Sequence, residues 1–446
     1  MNKIIKIGML SIGALVLGGA LSSCEQTDAE HDKGKTPVIK YARSCDIDKS
    51  DSLLVSASLG ARVCFVGDNM GDVQQVWFND QKAKLNPNMV TSHTIIVDIP
   101  NNLPGEVTNI ARFITSKGTA VDYEFNVFVP APRINDVSCE YARAGEEMVI
   151  NGAYFANDPN VPLKVVFPGD IEAKIKSIAQ EQLVIEVPEG THEGPIVISS
   201  IYGEGKSSFN YMDTNGMLFD FDGQTGLTNH GWHAQPVQNE DGISGNYMQL
   251  GDGATTLAAG GWDDGKFSFE YWAGSWNTPT DYPEREGARL FDVADFSDFK
   301  NKVLKFELFV PENGAWQANP MQIIFSGTDK VSMGNAGTDV FGNTVAGCNN
   351  DYLKQVAGWG RGLWKPWTEA TPYTTKGKWV TVVYPLSELT YGADAKAAKS
   401  VPSEVTDFAN LQIFLWVDTT DGANAVWTGV DCTPILRIDN IRVVKK

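Results

Sequence analysis

The sequence predicts an all-β protein built as two small sandwiches in tandem followed by a larger one. Three observations carry this. Runs of Val, Ile, Thr and Phe recur between clusters of Gly, Asn, Asp and Pro, which is the punctuation of short strands and turns. No long segment repeats its apolar residues every 3.6 positions, so amphipathic helices are not expected. A weak internal repeat occupies the first half, and tryptophan crowds the second. At 446 residues the chain exceeds what one core supports, and two to four domains follow. The formal net charge of −19 and a pI near 4.7 argue against nucleic acid or an anionic membrane surface as partner.

Residues 1–23 read as an export signal. Lys3 and Lys6 give a basic start, and Ile7 to Leu21 an apolar run too short to span a bilayer. The closing Leu21-Ser22-Ser23-Cys24 resembles a bacterial lipobox, which implies acylation of Cys24. Residues 24–36 form an acidic segment with almost nothing apolar, expected to be a hydrated tether. Acids directly after the lipidated Cys also resemble the surface-export signal of Bacteroidetes lipoproteins.

The repeat pairs Gly60-Ala-Arg-Val-Cys-Phe-Val-Gly67 with Gly145-Glu-Glu-Met-Val-Ile-Asn-Gly152. It then pairs Val76-Trp-Phe78 with Val165-Val-Phe167, and Ile95–Pro100 with Leu183–Pro188. Units at 37–131 and 132–212 have the size of immunoglobulin-like sandwiches. Their pattern resembles the IPT/TIG subfamily, which implies spacer modules. Pro130-Ala131-Pro132 gives a stiff boundary between them.

Residues 213–446 form the third domain. Eleven of the twelve tryptophans lie in the last 230 residues. Strands are expected at 217–222, 266–272, 303–310, 320–326, 379–385, 410–417 and 434–444, joined by long loops. The opening MLFDFDG, the KWVTVVYPL strand and the closing ILRIDNIRVV look like a β-jelly-roll carbohydrate-binding module.

In 266–276, KFSFEYWAGSW, period two places Phe267, Phe269 and Tyr271 on one face and Ser268, Glu270 and Trp272 on the other. An indole on the polar face calls for a flat, partly apolar cover. A β-gluco pyranose fits: its axial C–H groups stack on an aromatic ring while its rim hydroxyls need polar partners. By analogy with base stacking each ring supplies ~1–3 kcal/mol. The candidate glycan contacts are Trp232, Glu270, Tyr271, Trp272, Trp276, Trp359, Arg361, Trp364 and Trp367, with Trp272 foremost. For the loop tryptophans the competing role is a hydrophobic plug closing the sandwich. Tyr271 faces the core by parity unless a bulge turns it outward. Trp379 and Trp416 read as core.

No E-x-D-x-x-E run of laminarinase-type glycosidases occurs, and no catalytic residue is assigned. Glu270 reads as a hydroxyl acceptor. The histidines build no HExxH or Cys/His zinc pattern. Asp220, Asp222 and Asp439 are candidates for a structural calcium site, against a reading as plain surface acids. Beyond Cys24 five cysteines remain, an odd count that makes no disulfide framework.

Lipobox, IPT/TIG-like pair and Trp-rich sandwich, in that order, resemble the surface glycan-binding lipoproteins of Bacteroidetes polysaccharide-utilisation loci. The third domain is similar to their xyloglucan-binding type. The resemblance implies a non-catalytic, lipid-anchored monomer at the outer-membrane surface, touching the membrane only through its anchor. It would capture a soluble β-glucan, mixed-linkage or xyloglucan. Its implied neighbours are a TonB-dependent transporter, a lipoprotein that covers the transporter and a surface endoglycanase. The alternatives are a β-mannan or laminarin binder, a glycoside hydrolase with an unrecognised site, and an adhesin that binds protein through its Ig-like units.

Overall fold

The computed structural model describes residues 27–49, 52–227, 237–261, 265–271, 273, 288–327, 337–338, 344–345, 358–418 and 425–446. Cys24 and Cys348 lie outside them. The chain is all-β and divides into two compact units, the first ending at Val129 and the second beginning at Pro130.

In the first unit two four-stranded sheets face each other. One runs Leu53–Leu54, Val38–Ser44, Arg62–Asp68, Thr94–Asp98, and the other Gln81–Lys82, Val73–Phe78, Ile110–Thr115, Ala120–Glu124. Alternation turns Val63, Phe65, Val76, Phe78, Ala111 and Phe113 inward. The rings of Phe65, Phe113 and Phe125 meet edge to face at 5.0 and 5.4 Å.

The second unit opens on a sandwich of the same plan. Its sheets run Arg133–Val137, Glu147–Ala153, Gln182–Glu186, Lys174–Ile178 and Ile171–Glu172, Lys164–Phe167, Gly194–Ser200, Gly203–Tyr211. The structure explains the paired glycines of the repeat. Gly60 and Gly145 take φ of 72° and 84°, a left-handed turn ahead of the strand. A Cβ on Gly67 would lie 1.9 Å from the Val38 carbonyl oxygen, and one on Gly152 2.0 Å from that of Arg133. In both sandwiches the neighbouring strand bulges there, after Ile39 and after Ile134.

The acidic segment differs from expectation. Asp28–Asp32 is a short helix, and Asp32 is buried. Its carboxylate accepts the Gly71 N–H at 3.0 Å, and Asp28 accepts that of Ser92 at 3.2 Å. Acids with no apolar neighbours thus dock by serving unpaired backbone donors rather than by burying hydrocarbon.

The Trp-rich sandwich completes the second unit. One sheet runs Val237–Gln238, Tyr247–Leu250, Leu436–Lys445, Lys302–Phe309, Val380–Pro385, with Met217–Phe219 also paired to Leu436–Lys445. The facing sheet runs Ser268–Tyr271, Asn410–Leu415, Met321–Ser326, Gly362–Trp364. Each of the seven expected strand regions holds a strand. Phe219, Phe269, Phe306, Ile323, Phe325, Leu411 and Ile441 fill the space between the sheets. Trp379 and Trp416 are buried.

No gap separates this sandwich from the one before it. Met217, Ile243, Tyr247 and Trp379 pack into the core of residues 134–211. Tyr141 Oη donates to the Asp213 carbonyl at 2.7 Å. Beneath that contact Arg442 and Lys305, with Glu140 and Glu307, form a buried four-charge cluster. Arg442 gives Nη2–H to Glu140 and Nη1–H to Glu307, both at 2.7 Å, and Thr381 Oγ1 donates to Glu307 at 2.9 Å. Burial opposes the charge on Arg442; the carboxylates of Glu307 and Glu140 outweigh it and raise its pKa. The expected spacer is therefore continuous with the third domain.

Among the described cysteines, Cys45, Cys64, Cys139 and Cys432 are free thiols.

Candidate functional site

The sheet of Ser268–Tyr271, Asn410–Leu415, Met321–Ser326 and Gly362–Trp364 has two unlike faces. Its inner residues, Phe269, Tyr271, Leu411, Ile413, Met321, Ile323 and Phe325, belong to the core. Period two then sends Ser268, Glu270, Asn410, Gln412, Gln322 and Ser326 to the other side, and all six are buried. Ladder register places Glu270 opposite Gln412, and Gln412 opposite Ile324. The pairing of Ile323 with Gly362 brings Arg361 to the end of the same row.

Most of these groups hold one another. Arg361 Nη1–H donates to Gln322 Oε1 at 2.8 Å, and the Gln322 amide donates to the Trp416 carbonyl. Asn410 Nδ2–H donates to the Ser326 carbonyl at 3.1 Å, while its Oδ1 accepts the Ala273 N–H at 2.6 Å. Gln412 differs: it is 1% exposed, and neither Oε1 nor Nε2 has a hydrogen-bond partner among the described residues. An unpaired buried amide costs about 1–3 kcal/mol, so its retention is a functional signal. The row gathers amide groups and a carboxylate, the kinds of group that hydrogen-bond hydroxyls. Among the described residues on this face of the sheet, Glu270 is the one carboxylate, short of the pair that glycoside hydrolysis requires.

The structure distributes the aromatic candidates unevenly. Tyr271 is buried on the inner face: the ladder from Ser268 to Tyr271 runs unbroken against Phe414 to Leu411, so no bulge turns it outward. Its hydroxyl donates to the Ala288 carbonyl at 2.6 Å. Trp359 and Trp367 are buried, their indole N–H groups donating to the carbonyls of Phe325 at 2.6 Å and Asn319 at 3.1 Å. Those bonds fasten Trp359 to the strand Met321–Ser326 and Trp367 to the bend before it. Arg361 is fully buried in the polar row. Trp364 is half-buried, with the Trp316 and Tyr373 rings 5.7 Å away. Trp232, Trp272 and Trp276 lie outside the described residues. Glu270 and Arg361 thus share a face, and Tyr271 and Trp364 occupy the opposite one. Aromatic and acidic residues drew the sequence reading; the amides of Gln322, Asn410 and Gln412 escaped it. The alternation in Asn-Leu-Gln-Ile-Phe-Leu was their signal.

The calcium candidates are committed elsewhere. Asp220 accepts the Gly223 and Gln224 N–H groups, Asp222 accepts from Asn246, and Asp439 from Ser244 and Asn440. Among the described residues no three His, Cys, Asp or Glu side chains stand together to hold a metal ion.

Residues 211–445 match the family described as surface glycan-binding protein B xyloglucan binding domain. The crystal structure of surface glycan-binding protein PbSGBP-B from Prevotella bryantii is 44% identical, with a TM-score of 0.81. The match covers 92% of this chain and 99% of that one. An IPT/TIG domain-containing protein of Bacteroides ovatus is 34% identical over 160 residues, 34% of this chain. That alignment spans 32%, about a third, of the relative's length.

Proposed function

The chain belongs to the surface glycan-binding protein B family, whose members bind glycan without catalysis, and on that premise we propose that it captures a soluble β-glucan at the cell surface. The ligand is mixed-linkage β-glucan or xyloglucan, taken up through a polysaccharide-utilisation system. The match of residues 211–445 to a xyloglucan-binding domain carries this reading. The buried polar face of Glu270, Gln412 and Arg361 supports it, because polar rows under aromatic platforms suit sugar hydroxyls. Trp272 is the principal stacking residue, with Trp232 and Trp276 extending the platform, while Trp364 packs against the core on the opposite face. Buried Tyr271, Trp359, Arg361 and Trp367 hold the framework.

Acylation of Cys24 anchors the mature chain to the outer membrane, and the binding module works beside a TonB-dependent transporter, its covering lipoprotein and a surface endoglycanase. Affinity electrophoresis tests the reading. Gels containing barley β-glucan or xyloglucan should retard the protein more than gels containing galactomannan or laminarin, with no reducing sugar released. Equal mobility in all four gels would refute it.

A further inference from the structure

Trp77 is the one tryptophan before residue 213, and no role in the third domain accounts for it. It stands half-buried on the outer face of Val73–Phe78, within a cross-strand row. Register pairs it with Lys82 on one side and Arg112 on the other, and Arg112 with Asp122. The indole is pinned: Nε1–H donates to Gln75 Oε1 at 3.1 Å, and the Lys82 ammonium lies 5.8 Å from the ring centre.

Beside this ring opens a cleft of about 370 Å³, at the small end of ligand sites. Ile110, Ile114 and Arg112 line it with Trp77, and Asp80, Glu106 and Thr108 complete its rim. That rim is latched in place. Asn79, at φ 54°, accepts the N–H groups of Thr108 and Asn109 at 2.9 and 2.7 Å. Asp80 accepts the Gly105 N–H through both oxygens, at 3.0 and 3.1 Å. Glu106 and Thr108 are exposed between the latches.

Charge selects the ligand class. The Arg112 guanidinium is taken up by Asp122 through two bonds of 2.6 and 2.9 Å. The carboxylates of Asp80 and Glu106 remain in the cleft, so an anion is repelled there, and a purely apolar group would strand them. A neutral pyranose satisfies both sides, its C–H face on the indole and its hydroxyls toward Glu106 and Thr108.

We propose that the first sandwich carries a second glucan-binding site, with Trp77 as the stacking ring and Glu106 as hydroxyl acceptor. The proposal rests on the glucan-binding reading above. The full chain, labelled with 5-fluorotryptophan, is titrated with a mixed-linkage glucan tetrasaccharide and a xyloglucan heptasaccharide, and ¹⁹F resonances are followed. The signal missing from Trp77→Phe belongs to Trp77. It should shift saturably, should still shift in Trp272→Ala, and should need about tenfold more sugar in Glu106→Ala. A Trp77 signal that stays fixed while others move overturns this site and leaves the glucan-binding reading standing. If no signal moves with either sugar, the reading itself fails, and this site with it. A Trp77 shift produced by a partner protein and not by sugar also overturns it, in favour of a protein contact.

Discussion

Arg442 and Glu140 are 302 residues apart in sequence, yet their side chains meet at 2.7 Å in a site closed to water. Glu140 belongs to the second small sandwich and Arg442 to the closing strand of the third. Removing Arg442 leaves Glu140 and Glu307 buried with Lys305 as the remaining cation of the cluster among the described residues. Arg442→Ala should destabilise the second unit by about 3–5 kcal/mol. Urea unfolding followed by fluorescence reads this directly, and a loss under 1 kcal/mol would show that the cluster is not the joint.

Asp439 predicts a pH dependence. Burial pushes its carboxyl up to about 8, past the opposing hydrogen bonds from Ser244 and Asn440. The unfolded chain gives up that proton near pH 4, while the native state keeps it until about pH 8. The native state therefore binds more protons across this window, and stability declines as pH rises through it. The contribution is fully present below pH 4. Denaturation midpoints should fall between pH 5 and pH 8, and Asp439→Asn should flatten the slope. The ion pairs that hold Asp252 and Asp295 below the ordinary carboxylate range act at lower pH and leave this window clear.

Gln412→Leu separates folding from binding. The substitution removes an amide that has no partner among the described residues, so unfolding free energy should hold or rise, by up to about 1–3 kcal/mol. Retardation in β-glucan gels should weaken at the same time. A less stable variant with wild-type retardation would assign the amide a structural role.

Trp272→Ala should weaken polymer binding at least ~tenfold, the scale of one lost stacking ring, without lowering the melting temperature. Unchanged retardation would remove Trp272 as the principal contact.

Gly152→Ala tests the repeat. A methyl group there would press on the Arg133 carbonyl and the Phe155 ring, and strain of about 1–3 kcal/mol should follow. The same change at Gly67 should cost a similar amount in the first unit; a thermal melt of each variant decides.

Much of this was legible in the sequence because the responsible physics is local. The repeat glycines mark a left-handed turn and a close backbone approach, and both requirements show as an absent side chain. The strand regions of the third domain could be read from alternation alone. Burial was harder. Arg361 looks like a loop cation among aromatics, and only its bond to Gln322, 39 residues earlier, reveals that it lies inside. Trp359 and Trp367 were equally ambiguous, since their carbonyl partners, Phe325 and Asn319, sit in segments that sequence spacing does not bring near. The seam between the second and third sandwiches stayed invisible for the same reason, being made of Glu140, Trp379 and Arg442 from three remote segments.

That seam dictates where the chain can be cut and transplanted. A hybrid that borrows the C-terminal domain of a relative from residue 213 onward would bring foreign residues, in place of Arg442, Met217, Ile243 and Trp379, to Glu140 and to the core of residues 134–211. Exchanging everything after Val129 carries both halves of that joint across together, which makes this border, and not residue 213, the place to exchange the glycan-binding domain between relatives.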